Sequence, residues 1–506
     1  MMYDKLSQIL NLLLFLAKKV IIYALLFIAA ISFVLWYFPV FHIKGLPQST
    51  MMFAFLTKIF IGLLLIYIHT KTYGEGDLSH DGQTFMNEGK TLNDVFYKSP
   101  SYFFQLMFGV EQSLEFAYQT EYWSPGDLTI INDSKNVIRL HAIIHFFSRN
   151  NIAIHLSIFC FLALLGVKLL FLSIKRFIKI NQHLAFWILL LPPSTIFWTS
   201  SLMKESILML GIGLFAYALL SANSFKIRLI YFLISIPFLI GFKPYVGLFL
   251  ILALLYILWS KYLFRDQQLL ALPIAIISVF LAGLLFHGTR DNIVHHLTRK
   301  QFDFRNVGRG GLHALSDTCF YYFRPDQYDR LSINNGEVQL LKETDALIMR
   351  FGSTQEPIPI HLIPKGEIWK NVYQTPGCES FIEITPINNS AIQLIQNIPE
   401  ALINALFRPF PNDAGSKLKY IAILEIFGML LFIAFAFWKR RKLQLPEKRI
   451  LIYLSIFSVM TLLLIGWTTP VIGAIVRYRF PVQLATVIGL LIILKPLKIK
   501  SWKNTY

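Results

Sequence analysis

The chain has 506 residues, 55% of them hydrophobic and 15% charged, with a mean hydropathy of +0.55 and a formal net charge of +18. A soluble chain carries about a quarter charged residues, so the composition excludes an ordinary soluble enzyme. The excess of positive charge avoids the two long polar segments: residues 71–150 hold six Lys/Arg against ten Asp/Glu, and residues 288–416 hold twelve against fourteen. That distribution excludes a nucleic-acid partner as its explanation.

The apolar residues come in blocks near the length that crosses about 30 Å of hydrocarbon. From the N-terminus, residues 1–19 are basic and apolar, but no small-residue cleavage site follows them, so they do not read as a signal peptide. Residues 6–17 read as an interfacial helix or half of a hairpin. Candidate spans follow at 20–40, 52–69, 152–173, 185–201, 203–221, 229–242, 245–260, 268–287, 418–438, 450–467 and 478–495. The two at 229–242 and 245–260 are short enough to be one broken hairpin. The fold class expected is therefore an all-α polytopic membrane bundle of about 10–11 transmembrane helices with a small α+β extracytoplasmic domain.

The short loops carry Lys175, Arg176 and Lys179, then Lys226 and Arg228, Lys261 and Arg265, Lys439 to Lys442, and Lys495 to Lys503. This is the positive-inside pattern. It places residues 71–150 and 288–416 outside the membrane. Lys5, Lys18 and Lys19 argue instead for an inside N-terminus, which leaves the orientation of the first 40 residues open. The organisation expected is N-terminal helices in 1–70, a first outer loop in 71–150, central helices in 151–287, an extracytoplasmic domain in 288–416 and C-terminal helices in 417–506.

Within the first outer loop, 100–119 and 134–149 repeat apolar residues at three- and four-residue spacing, which predicts helices lying along the membrane surface. In the second, the runs EVQLL, ALIMRF, IPIHLI and SFIEITPI are short, rich in Ile and Val, and separated by Gly, Pro and Asn. These predict strands. Cys160 falls in a span, whereas Cys319 and Cys378 share the outer segment, where an oxidising compartment allows a disulfide between them.

Ionisable residues at span ends are the functional candidates. Lys204 (beside Glu205) and Lys243 lie at outer turns, Arg408 precedes the span at 418–438, and Arg477 and Arg479 open the last one. Asp77 and Asp81 follow the span at 52–69. Cations gathered at one interface suit a lipid-linked phosphate or pyrophosphate, because Arg holds phosphate oxygens in a bidentate fork and Lys adds a compact charge. A carboxylate there serves as general base, or positions an acceptor or a divalent metal. The bland alternative is snorkelling of long side chains toward water, and Glu425, inside a span, is a weaker candidate. In RKQFDFRNVGRGGLH, Arg305 and Arg309 with Gly308 to Gly311 read as a flexible acceptor or anion loop flanked by His295, His296 and His313. His141 and His145, four apart on an amphipathic stretch, read mainly as interfacial side chains. No zinc spacing, Walker motif, dinucleotide fingerprint or nucleophile elbow is present.

The acidic GEGDLSHDG after an early span and the Arg477–Pro481 element RYRFP opening a late one resemble the C-type (GT-C) membrane glycosyltransferases. The resemblance covers the layout of most of the chain. It departs from the usual pattern in the span preceding the acidic loop's helix and in the mid-chain position of the large outer domain. It implies transfer from a polyprenyl-phosphate-linked sugar or glycan in cell-envelope assembly, with Asp77 as the base. A polysaccharide polymerase or ligase acting on polyprenyl-pyrophosphate glycans is the close alternative, in which Arg305 and Arg309 matter more. A lipid-linked oligosaccharide translocase and a non-catalytic envelope scaffold are the others. The partners implied are a lipid-linked sugar, membrane lipids and envelope-assembly proteins, with no nucleic acid.

Overall fold

The computed structural model describes residues 21–73, 80–110, 116–117, 119–123, 132–221, 223–262, 289–316, 319–334, 336–350, 358–375 and 377–496. The chain divides into two compact units, one of residues 1–111, 129–244 and 496–506, the other of 112–128 and 245–495. Among the described residues, five helices are long and apolar enough to cross a membrane: Thr50–Lys71, Ile152–Phe177, Pro244–Tyr262, Lys419–Trp438 and Leu445–Thr468. A sixth crossing results if Ile472–Tyr478 and Phe480–Ile493, bent by 43°, form one broken span.

This is fewer than the ten to eleven expected, and the reasons are local. The block 185–201 contains Pro192 and Pro193, and the chain answers with two short helices, Gln182–Leu190 and Pro193–Trp198, separated by extended backbone at Pro192. Lys204–Leu220 and Phe225–Ile240 reach only 17 and 16 residues, and Ile21–Tyr37 is likewise short. The expected spans 229–242 and 245–260 belong to separate helices. The block 268–287 and the N-terminal stretch 6–17 lie outside the described residues.

In the first unit, Ile152–Ile174 and Lys204–Leu220 cross backbone to backbone. A Cβ on Gly166 would stand 2.2 Å from the Met209 carbonyl oxygen, and one on Gly213 would stand 2.1 Å from that of Gly166. Small residues permit such approaches between apolar helices, where close van der Waals contact supplies the attraction. The helix Asp133–Ser148 agrees with the amphipathic pattern, and the Asn132 side chain accepts a hydrogen bond from the Lys135 backbone N–H at its start. The other predicted surface helix is shorter than the 100–119 expected. Pro100–Phe108 ends where Gly109 takes a left-handed conformation at φ 69°.

The second unit carries a seven-stranded antiparallel sheet. Its strands are β1 (Gly311–Leu315), β2 (Cys319–Phe323), β3 (Leu331–Asn334), β4 (Glu337–Leu340), β5 (Thr344–Arg350), β6 (Ile358–Leu362) and β7 (Ile368–Thr375), in the spatial order β3-β4-β7-β1-β2-β5-β6. Leu312, Ala314, Phe323, Val338 and Trp369 form its core. SFIEITPI, predicted as a strand, is not one. Its backbone N–H groups go to Pro470 O, Glu400 and Gln301 rather than to a neighbouring strand.

Two further expectations are corrected here. The stretch read as a flexible loop around Arg305 is the end of the helix Thr289–Arg309, and only Gly310 and Gly311, at φ 93° and 151°, turn the chain into β1. Cys319 and Cys378 are both free thiols. Cys319 sits on β2 near the β1–β2 hairpin, where Leu315 faces Phe320, while Cys378 follows β7 beyond the opposite end of β1, where Gly311 faces Thr375. β1 also lies between their strands, so the two Cα atoms exceed the roughly 7 Å a disulfide spans.

In the helical part of this unit, Leu445–Thr468 packs on Ile398–Phe407 so closely that a Cβ on Gly466 would meet the Ala401 carbonyl at 2.0 Å. Tyr453 of the same helix donates to Leu250 O at 3.0 Å.

Candidate functional site

In the first unit Lys204 and Lys243 are both committed to carboxylates. Lys204 meets Asp133 at 2.8 Å and donates to the Ser134 hydroxyl at 3.0 Å. Lys243 meets Glu205 at 3.4 Å, both side chains buried. Lys204 therefore does not take its chain neighbour Glu205 as partner. Successive residues on a helix point about 100° apart, so the start of Lys204–Leu220 sends one charge toward Asp133–Ser148 and the next toward Lys243.

Between the end of Thr50–Ile68, the start of His80–Lys98 and the turn before Lys204 lies a small, mostly apolar cleft. Gly62, Leu65, Ile66 and His69 form one wall, and Gly82 with Ser201, Leu202 and Met203 forms the other. Asp81 stands in the first turn of His80–Lys98, beside Gly82 and partly buried. Asp77 lies outside the described residues.

The arginines occupy the second unit. Arg408 forms an ion pair with Asp413 and donates to the Asn404 side chain at 2.8 Å. Arg477 lies over the ring of Tyr478, 5.2 Å from its centroid. Arg479 is buried at the joint between Ile472–Tyr478 and Phe480–Ile493, at 2% exposure. Its Nη1 donates to the carbonyls of Ala405, Leu406 and Arg408 at 3.0, 2.9 and 2.9 Å. These include the terminal carbonyls of Ile398–Phe407, so Arg479 caps that helix. Among the described residues its Nε and Nη2 have no hydrogen-bond partner. Glu425 is within electrostatic range but accepts its hydrogen bond from Gln483, at 3.2 Å. Nε and Nη2 make up the edge of the guanidinium that grips two oxygens at once.

Arg305 and Arg309 share one carboxylate, Glu383, at 3.4 and 2.8 Å. Hydrogen bonding from Arg309 holds that carboxyl below its ordinary range. His295 meets the Asn389 side chain at 2.8 Å.

His141 and His145 are buried rather than interfacial. His141 Nδ1 lies 2.8 Å from His155 Nδ1, His155 Nε2 lies 2.8 Å from Ser148 Oγ, and His145 Nε2 lies 3.0 Å from Met86 O. Burial, reinforced by His145, pushes the His141 imidazole down to about 3. No group of three His, Cys, Asp or Glu among the described residues is arranged to hold a metal ion.

One residue escaped the sequence reading. Lys58 lies within Thr50–Lys71 and is fully buried, its Nζ donating to Thr199 Oγ1 at 2.7 Å and Ser200 Oγ at 3.1 Å. The signal was available as a single lysine inside MMFAFLTKIFIGLLLIYI, but attention to span ends passed over it.

No protein-family model matches the chain, and neither a curated protein nor a solved structure matches it.

Proposed function

We propose that the protein is a membrane glycosyltransferase that uses a polyprenyl-phosphate-linked sugar or glycan in the assembly of a cell-envelope polysaccharide or glycoconjugate. The observation that carries this reading is the Arg479 guanidinium. Three carbonyls fix Nη1, and the Nε–Nη2 edge is left without a partner at a break in an apolar helix pair. Broken membrane helices commonly form ligand sites, with the N-terminal half-helix dipole favouring an anion. A phosphate oxygen pair satisfies the two donors, whose burial without a partner is otherwise costly. In this reading Asp77 deprotonates or orients the acceptor, and residues 71–150 and 288–416 lie on the extracytoplasmic side of a bacterial inner membrane. The cations Lys204, Lys243 and Arg408 act through their carboxylate pairs to set local structure, rather than as a phosphate clamp.

The test is transfer from a labelled polyprenyl-phosphate sugar by membranes containing the full chain. Arg479→Lys keeps a cation able to reach the carbonyls but removes the two-pronged edge. It should weaken binding of a short-chain polyprenyl phosphate by about tenfold or more and lower transfer in parallel, with the thermal midpoint little changed. Wild-type transfer by this variant would remove the phosphate role, and wild-type transfer by Asp77→Asn would remove the base. Cysteine labelling should reach positions near residue 445 only from the cytoplasmic side.

A second reading, a lipid-linked oligosaccharide translocase, is favoured by Lys58, since a polar residue deep in a span suits a moving polar cargo. Movement of a fluorescent lipid-linked glycan across proteoliposomes without any glycosidic product would select it.

A further inference from the structure

Lys58 has surroundings that no feature of the transferase reading uses. Its ammonium is held only by the hydroxyls of Thr199 and Ser200, and among the described residues no carboxylate pairs with it. Thr199 spends its own hydroxyl hydrogen on the Thr195 carbonyl, at 2.6 Å. The Thr195 hydroxyl, on the same short helix and fully buried, has no hydrogen-bond partner at all. The remaining polar neighbour is Cys160, a free thiol. A lysine and three hydroxyls are gathered in a fully buried place, and among the described residues no carboxylate accompanies them. Burying an ammonium without a counter-charge costs several kcal/mol, and a hydroxyl left unpaired adds to that cost.

The surroundings also provide an approach. Lys58 and Gly62 are four apart and share one face of their helix, and Leu65 and His69 continue that face as a wall of the cleft. Lys58 therefore lies one helical turn beyond the end of the cleft. At that end the helix touches the chain just before Ser201: a Cβ on Gly62 would stand 2.5 Å from Ser200 O and 2.7 Å from a Leu156 methyl. The Ser200 carbonyl and the Leu156 side chain stand between the cleft and the donors, so an anion enters only where both give way.

We infer that Lys58, Thr195, Thr199 and Ser200 form a binding site for a small oxyanion of the phosphate class, reached through the cleft that ends at Gly62. The ammonium supplies the charge and the Thr195 hydroxyl a directed hydrogen bond, the pairing by which proteins commonly hold phosphate oxygens. Free phosphate and the headgroup of a lipid phosphate present the same oxygens. The site shares no residue with the one proposed at Arg479, which belongs to the other unit.

The experiment is a thermal-unfolding titration of the purified full-length protein in detergent, with orthophosphate in one arm and dodecyl phosphate in the other. The expected result is a saturable rise in midpoint in at least one arm. A rise with orthophosphate assigns a free anion, and a rise with dodecyl phosphate alone assigns a lipid headgroup. The rise should persist in Arg479→Lys and vanish when Lys58→Met is added to that variant. Lys58→Met should itself melt at or above the wild-type temperature without ligand, because it removes an uncompensated buried charge. Thr195→Val, which keeps the shape and the charge, should raise the half-saturating concentration several-fold and provides the reading if Lys58→Met does not fold. No rise with either anion, or a rise that in the Arg479→Lys background survives Lys58→Met or is unmoved by Thr195→Val, overturns the inference.

Discussion

Lys243 and Glu205 lie 38 positions apart in sequence and 3.4 Å apart in space, with side chains only 6% and 2% exposed. Each lies at an end of an apolar helix segment and each removes the other's charge from a place with little water. Removing one partner from a buried pair costs about 3–5 kcal/mol, whereas replacing both with apolar residues of similar size is often neutral. Lys243→Met should therefore lower the unfolding midpoint sharply, and the double variant Lys243→Met/Glu205→Met should recover most of the loss. A single variant as stable as the wild type would mean that the pair does not hold the two segments together.

The crossing at Gly166 and Gly213 gives a sharper steric expectation. The atoms a new methyl would meet are backbone, at 2.2 Å or less, and cannot swing aside as a side chain end would. Gly213→Ala should destabilise the chain by about 1–3 kcal/mol or more. Gly428, with nothing within 4 Å of its added Cβ, is the control, and Gly428→Ala should be neutral or mildly stabilising.

His313 on β1 supplies a pH dependence. Burial, with a smaller contribution from Arg299, pushes its imidazole down from 6.5 to about 4. Between those values the unfolded chain binds a proton that the folded one refuses. Stability is therefore complete above pH 6.5, falls as pH drops toward 4, and levels off below. The loss attributable to this one group is at most about 3 kcal/mol. Comparing unfolding midpoints at pH 7.5 and pH 5 should give a smaller drop for His313→Gln than for the wild type. Equal drops would exclude His313 as the source.

The separation of Cys319 from Cys378 predicts that both alkylate fully in denaturant without prior reduction. A reductant should leave the unfolding midpoint unchanged. An intact peptide pair linked through these two residues, seen by mass spectrometry of unreduced protein, would contradict the sheet register.

Part of this arrangement could be read directly from the chain. EVQL, ALIMR and IPIHL alternate or cluster β-formers between turn residues, and they form β4, β5 and β6. CFYYF and IWKNVYQT were passed over because their aromatic and mixed residues carry no clean period of two. SFIEITPI misled for the opposite reason. It has the composition of a strand, but a strand needs a neighbour, and its backbone is satisfied by helix side chains and Pro470 instead. At the candidate site, the sequence located the charged residues but not their partners. Nothing local indicates that Lys204 turns to Asp133 and Lys243 to Glu205, or that three carbonyls gather around Arg479. Such pairings are fixed by how distant helices pack.

The strap formed by residues 116–117 and 119–123, tied to β7 through Lys370, imposes an order on biogenesis. Its Phe116 and Trp123 are buried with rings 5.1 Å apart, and Lys370 of β7 donates to the carbonyls of Ala117 and Thr120. Some 250 residues separate the strap from its anchor. During synthesis at about 5–20 residues per second, the strap is made at least ten seconds before β7 exists to receive it. Through that interval the Ala117 and Thr120 carbonyls are without the Lys370 ammonium, so this tie closes only late in synthesis.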